Sequence, residues 1–251
     1  MDRAIWISWH NLPDHGRDAY LAWLHGSYIP RFLKQPGVLW GAHYASAKVP
    51  PHPRVRYTDD KSVPGGTDYI LMFGAGNSHP FARDVRVYAD PVPRKPDADL
   101  PEEDRKMLAL RIGERVNIMV EEARVAGPET RQRAAGTAPS ACIQLGSFNA
   151  SSIEAEDELL AWYGRWRMPA LSKLPGCVGM RKMVSVSGWA KHGVLYEFAS
   201  LEVRNERFPT LAKLYPEMEA WTDRFIPKLI HEPGSPNIAC RIWPPVKQQS
   251  S

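Results

Sequence analysis

The stretch LAWLHGSYIPRFLKQPG (residues 21–37) returns as LAWYGRWRMPALSKLPG (residues 160–176). The two align without a gap, and Leu21/Leu160, Ala22/Ala161, Trp23/Trp162, Pro30/Pro169, Lys34/Lys173, Pro36/Pro175 and Gly37/Gly176 coincide. In the first copy Tyr20, Leu21, Trp23, Leu24, Tyr28 and Phe32 recur near helical spacing between Asp18 and Leu33, which predicts an amphipathic helix. Pro36-Gly37 stops it, and Pro175-Gly176 stops the second copy in the same way. A helix with its terminator has been duplicated.

The flanking segments extend the repeat. Ile5–His10, rich in β-branched and aromatic residues, reads as a strand, followed after the helix by strands at Val38–Tyr44 and Tyr69–Phe73. A helix is expected at about Pro101–Ile112, opened by Glu102, Glu103 and Asp104 at the positive end of its dipole, and a fourth strand at Arg115–Val125. In the second half Cys142–Phe148 is a strand. Ser151-Ser152-Ile153-Glu154 offers a capping box for a helix running through Leu174. Strands at Val178–Val186 and Val194–Leu201 follow, then a helix at about Phe208–Leu229 broken by Pro209, Pro216 and Pro227, then a strand at Asn237–Trp243. Each half reads strand-helix-strand-strand-helix-strand. The expected division is a first unit at 1–127 with a long loop at 47–67, a linker at 128–140 and a second unit at 141–251. The loop is of a size often used as a lid, and Pro91–Leu100 is a Pro- and Asp-rich connector.

An antiparallel sheet with both helices on one side leaves its other face bare. Two such units cover each other, so the expected fold is α+β, two ferredoxin-like units packed sheet to sheet as a pseudo-symmetric α+β barrel. The pattern Trp23-x6-Pro30-x5-Pro36-Gly37, with its copy at Trp162, Pro169, Pro175 and Gly176, resembles the helix of the EthD-like branch of the dimeric α+β barrel superfamily. The resemblance implies a ferredoxin-like fold and binding or turnover of small hydrophobic molecules. The superfamily includes cofactor-independent oxygenases, decarboxylases, isomerases and lyases, and haem-binding chlorite dismutase-like proteins. Where many EthD-like helices carry a His two residues before the helix proline, this chain has Tyr28 and Arg167.

Composition narrows the class. The 251 residues are 43% hydrophobic and 24% charged, as in a soluble globular protein. A formal charge of +4 without a basic block argues against a nucleic-acid partner. No charged and apolar leader opens the chain and no apolar run reaches membrane length, so no membrane partner and a cytoplasmic location are expected. Cys142, Cys177 and Cys240 lack Cys-x-x-Cys spacing and read as buried free thiols. No metal-ligand spacing appears, Gly74-Ala75-Gly76 lacks the rest of a dinucleotide fingerprint, and no Gly-x-Ser-x-Gly elbow is present. The expected cofactor and metal content is therefore none.

Alternation separates Ile5, Ile7 and Trp9 from Trp6, Ser8 and His10. The aliphatic set is expected to cover the helices and the mixed set, with Gln144 from the matching strand, to line the barrel as a small-molecule site. His10 is the leading general acid/base, weighed against a histidine satisfied at a strand end. One of His43 and Tyr44 faces the cavity. His25 and Tyr28 lie about one turn apart, as a catalytic pair or as packing. In Trp162–Arg167 the residues Arg165 and Arg167 suit a substrate carboxylate, against a solvated arginine face; Tyr163, Lys182 and His192 are further candidates. Tyr196 and Glu197 are further substrate-binding candidates, Glu197 as a carboxylate on a buried strand weighed against a structural ion pair with Arg181 or Lys182. His52, His79 and His231 read as loop or structural residues. The reading is a cofactor-independent lyase or isomerase acting by acid/base chemistry on a small hydrophobic or aromatic acid, with self-association possible in principle. A cofactor-free oxygenase, a haem protein and a non-catalytic binder are the alternatives.

Overall fold

The computed structural model describes residues 1–49, 53–82 and 100–246. The first half contains β1 (Ala4–Asn11), α1 (Arg17–Trp23), α2 (Ile29–Phe32), β2 (Val38–Ser46), β3 (Arg56–Tyr57), β4 (Tyr69–Ala75), α3 (His79–Ala82), α4 (Glu102–Leu108) and β5 (Ile112–Ala126). The second contains β6 (Cys142–Ala150), α5 (Ile153–Trp162), α6 (Met168–Leu171), β7 (Cys177–Ser187), β8 (His192–Phe198), α7 (Leu201–Arg207), α8 (Leu211–Leu214), α9 (Pro216–Phe225), β9 (Leu229–His231) and β10 (Asn237–Trp243). The connector at Pro91–Leu100, apart from Leu100, and His52 lie outside the described residues.

The strands pair in the order β10-β2-β4-β1-β5-β7-β8-β6, and β6 pairs β10 to close an antiparallel barrel. Within each half the order is that of a ferredoxin-like sheet. The halves join edge to edge at β5–β7 and β10–β2, so closure removes the edges that each sheet alone would expose. Short β3 and β9, unread in the sequence, pair in parallel outside the ring.

The repeated helix is continuous but not uniform. Ile29 N–H bonds the Leu24 carbonyl, and Met168 N–H bonds the Tyr163 carbonyl, so a π turn precedes α2 and α6 alike. Pro30 and Pro169 cause it: each lacks an N–H and crowds the carbonyl one turn back, and the wider turn relieves both faults. Gly37 and Gly176 follow at φ 91° and 83°, a left-handed conformation that makes Pro-Gly an effective stop. The repeated Trp docks the second helical segment of its half. Trp23 Nε1 donates to Asp104 on α4 at 3.0 Å, and Trp162 Nε1 donates to Thr222 on α9 at 3.2 Å.

Other boundaries have local causes. β8 stops at Phe198 rather than Leu201 because Ser200 caps α7, accepting from Val203 N–H at 3.2 Å. Ser152 caps α5 through Ala155 N–H. The segment after α7 breaks into short pieces at Pro209, Pro216 and Pro227.

The expected assignment of strand faces is reversed. Ile5, Ile7 and Trp9 pack inside the barrel with Tyr44, Met72, Met119, Ile143, Leu145 and Leu195 from both halves. Trp6 faces the helices with Tyr20, Trp23 and Phe32, as do Phe148 and Tyr196 in the other half. A barrel of this size is just wide enough to be filled by side chains, so it takes the aliphatic set. Ion pairs close both ends. Asp2 meets Arg181 at 2.7 Å and Arg133 at 2.9 Å, with Glu197 on the far side of both arginines. At the other end Arg115 meets Glu232 at 3.3 Å and stacks over Trp9 at 4.8 Å. The loop expected as a lid caps this second end: Pro64 and Gly66 carbonyls accept from Arg115, and Gly66 lies against the His10 backbone.

Candidate functional site

The polar residues gather between the sheet and the first helix of the first half. β1 supplies Ser8 and His10, β2 supplies His43, and β4 supplies Tyr69. The helix adds Tyr20 and, from its π turn, His25, while Arg111 and Glu114 flank the start of β5. His10 and His43 are fully buried, with parallel rings 5.9 Å apart. Tyr69 stacks on both, at 5.9 and 5.4 Å.

Counting donors assigns the protons. Arg111 Nε donates to Tyr20 Oη at 2.7 Å, leaving the Tyr20 hydrogen for His10 Nε2 at 3.3 Å. Ser8 Oγ donates to Glu114 at 2.6 Å, so at 3.5 Å from His10 Nδ1 it can only accept. Arg111 closes the ring by donating to the same Glu114 carboxylate at 2.7 Å. His10 is thus a neutral imidazole with its hydrogen on Nδ1 and its lone pair already engaged.

His43 differs. Its Nδ1 lies 2.9 Å from His25 Nε2, and its Nε2 is buried without a partner among the described residues. Orphaned buried N–H groups are the rarer fault, so the favoured tautomer has Nδ1–H donating to His25 and a bare lone pair at Nε2. Burial pushes His43 well below its ordinary 6.5, with His10, His25 and Arg111 adding to the shift. Burial, then Arg111, does the same to His10, and burial lowers His25. Burial raises Tyr20 to about 12. It works against the Arg111 charge too, but Tyr20, Glu114 and Tyr28 outweigh it and keep the guanidinium protonated, with Nη2 buried and unpartnered. His25, Tyr28, Tyr69 and Trp243 are only partly buried, and His25 lies 6.3 Å from Trp243 of β10.

The other sequence candidates fall elsewhere. Tyr44 points into the barrel and donates to the Pro139 and Ser140 carbonyls at 3.0 and 3.2 Å. Trp6 packs on Phe73 at 5.6 Å, on the helix side rather than in the barrel. Tyr28 packs on Trp23 at 4.9 Å. Gln144 also faces the helices, accepting from Arg204. Arg165 is exposed. Arg167 lies over Phe208 at 4.5 Å and donates to Tyr196 at 3.3 Å, in the other half. Glu197 belongs to the barrel-end ion pairs, and Lys182 pairs with Glu122. His192 faces Glu156 at 3.5 Å, Tyr163 is buried beside Trp162, and His231 packs on Phe148 at 5.2 Å. Sequence reasoning missed Tyr20, Tyr69, Arg111 and Glu114 as site residues. Tyr20 carried a faint signal, a hydroxyl within an otherwise apolar stripe; Arg111 carried none.

No family model and no curated protein matches the sequence. Solved structures do resemble it. An anthrone oxidase-like protein superposes with a TM-score of 0.57 over 96% of this chain and 91% of its own, at 7% identity. A proposed monooxygenase from Fusobacterium nucleatum gives 0.55 over 96% and 92%, at 8% identity. A mutant chlorite dismutase from Candidatus Nitrospira defluvii gives 0.52 over 96% and 91%, at 8% identity. These likenesses show the fold, a closed α+β barrel built from two ferredoxin-like halves.

Among the described residues no group of three or more His, Cys, Asp or Glu is arranged to hold a metal ion. No helix among them is long and apolar enough to cross a membrane.

Proposed function

We propose that the chain is a cofactor-independent enzyme that removes a proton from a small aromatic or enolisable substrate at the His43 cluster. The observation that carries the proposal is the buried, unpartnered lone pair on His43 Nε2. A neutral imidazole there is a competent base at neutral pH. As it takes a proton at Nε2, its Nδ1 proton can pass to His25, which is half-buried and can exchange with water. The unpartnered Arg111 Nη2 is a charged donor for the oxyanion that forms when a carbonyl compound or phenol is deprotonated. Tyr20 and Glu114 hold that guanidinium in place.

Two fates of the resulting carbanion separate the chemical classes. Reprotonation or loss of a leaving group makes the enzyme an isomerase or lyase; capture by dioxygen makes it an oxygenase. The oxidase-like and monooxygenase names of the structural neighbours favour the second. A cytoplasmic setting, a small-molecule partner and an EthD-like affinity for the repeated helix belong to the same proposal.

The test uses anthrone as the probe. In deuterium oxide without oxygen, the enzyme is expected to accelerate exchange of the acidic methylene hydrogens. His43→Gln is expected to lose about 10²–10⁴-fold of that acceleration. In air, one dioxygen consumed per anthrone, giving anthraquinone and water, identifies an oxygenase. Exchange at the buffer rate for anthrone and for a panel of simple phenols and enolisable acids, or equal rates with His43→Gln, overturns the proposal.

A further inference from the structure

Cys142 on β6 and Cys240 on β10 stand directly opposite each other in the antiparallel pair that closes the barrel. Arg241 N–H bonds the Ala141 carbonyl at 2.8 Å. The neighbouring pair Cys142/Cys240 therefore occupies a non-hydrogen-bonded position, because the two kinds alternate along an antiparallel ladder. Opposed residues at such positions have Cα atoms about 4.5 Å apart and side chains on one face. Disulfides span Cα separations of about 4.4–6.8 Å, so the strands already hold the two sulfurs within bridging range. The third thiol is excluded by topology. Cys177 and Cys142 both pair with Phe198, from opposite sides of β8, which puts Cys177 two strand spacings, about 9–10 Å, from Cys142.

We propose that Cys142 and Cys240 form an oxidisable pair, converted by a peroxide into a disulfide across the strand that closes the barrel. Cys240, half-buried, is the thiol a small oxidant reaches; Cys142 is buried. The Cys240 sulfur attacks the peroxide oxygen, giving a sulfenic acid and, from hydrogen peroxide, one water. The Cys142 sulfur then attacks that sulfur and expels hydroxide, which leaves as a second water with the thiol proton. Two electrons pass from the thiols to the peroxide. Burial pushes the Cys142 thiol up to about 12, opposed by the nearby Arg204 guanidinium, and raises Cys240 as well, so oxidation at neutral pH is expected to be slow and to quicken as pH rises.

The bond would staple a strand that touches the histidine cluster: β10 also pairs with β2, opposing Trp243 to His43. The experiment exposes the folded chain to hydrogen peroxide, quenches, denatures, alkylates free thiols and measures intact mass and cross-linked peptides. The expected product is monomeric, lighter by two hydrogens before alkylation, with one alkylatable thiol of three, a Cys142–Cys240 peptide pair and full reversal by dithiothreitol. Cys177→Ser should form the same bond. The oxidised form should melt about 5–10 °C higher, as expected for closing a long loop. Three alkylatable thiols, a sulfinic acid at Cys240 without cross-link, or a bridge between two chains would each overturn the proposal. Because the readout is thiol chemistry, it stands or falls independently of the proton-transfer reading.

Discussion

The two halves share a backbone and differ at corresponding positions. In the first half His10 stands opposite Tyr69 and His43 opposite Leu71; in the second, Phe148 stands opposite His192 and Lys182 opposite Val194. By the aligned repeat, Tyr20 and His25 correspond to Leu159 and Gly164. Both copies keep the Trp that docks the second helical segment, the Pro that induces the π turn and the Pro-Gly stop. Those three features are ones the fold needs, whereas Tyr20, His25, His10 and His43, which face the gap between helix and sheet, are replaced in the other copy. In the second half that gap is filled by Trp162, Tyr163, Tyr196 and Phe198, and its cations are accounted for by Glu122 under Lys182 and by aromatic rings around Arg167.

If only the first half carries chemistry, matched substitutions should separate sharply. Beyond the His43→Gln loss above, Arg111→Met is expected to lower the exchange rate about 10²–10³-fold, the scale of an oxyanion donor. Arg167→Met, in the second half, should leave the rate within about twofold on the same assay, since Arg167 packs among Trp162, Tyr196 and Phe208 and touches none of the histidine cluster. Equal losses from both would break the contrast.

The barrel ends belong to neither half, and they should govern stability without touching turnover. Burial alone would raise the Asp2 carboxyl, but Arg181 and Arg133, with hydrogen bonds from Arg181 and Trp40, bring it to about 2. Asp2→Ala leaves Arg181 and Arg133 to share Glu197 alone and should cost about 3–5 kcal/mol, visible as a lowered urea midpoint. A midpoint equal to that of the parent chain would mean that the network is not holding the ends.

The histidines sharpen the comparison through pH. His10, His43 and His25 sit in the first half with folded pKa values below 6.5, against His192 in the second. Between the unfolded value and the depressed folded values the unfolded chain binds more protons, so stability is full above pH 6.5 and falls as pH drops below it. His43→Gln should flatten that acid slope; the same slope in the variant would remove His43 from the account. The smallest effect is expected at the docking tryptophans. Trp162→Phe should cost about 1 kcal/mol through the lost bond to Thr222, and Trp23→Phe a similar amount, since Arg31 still satisfies Asp104.

The repeated helix made the fold legible because its Trp, Pro and Pro-Gly positions are tied to backbone events that survive divergence. The site was only half legible. His10, His25 and His43 stand out as residue types, but β1 is buried on both faces, so alternation could say which residues share a side and not which side faces the helices. Which side was which depended on the width of the closed barrel, a property of all eight strands together. The Arg111–Tyr20 bond joins residues far apart in sequence, and only the folded chain brings them together.

The most direct test is ring-nitrogen NMR of the protein with isotope-labelled histidine at pH 6.5. His43 is expected to be neutral, with its hydrogen on Nδ1 and a bare Nε2. A protonated His43, or one carrying its hydrogen on Nε2, would contradict this, because neither offers a buried lone pair for substrate.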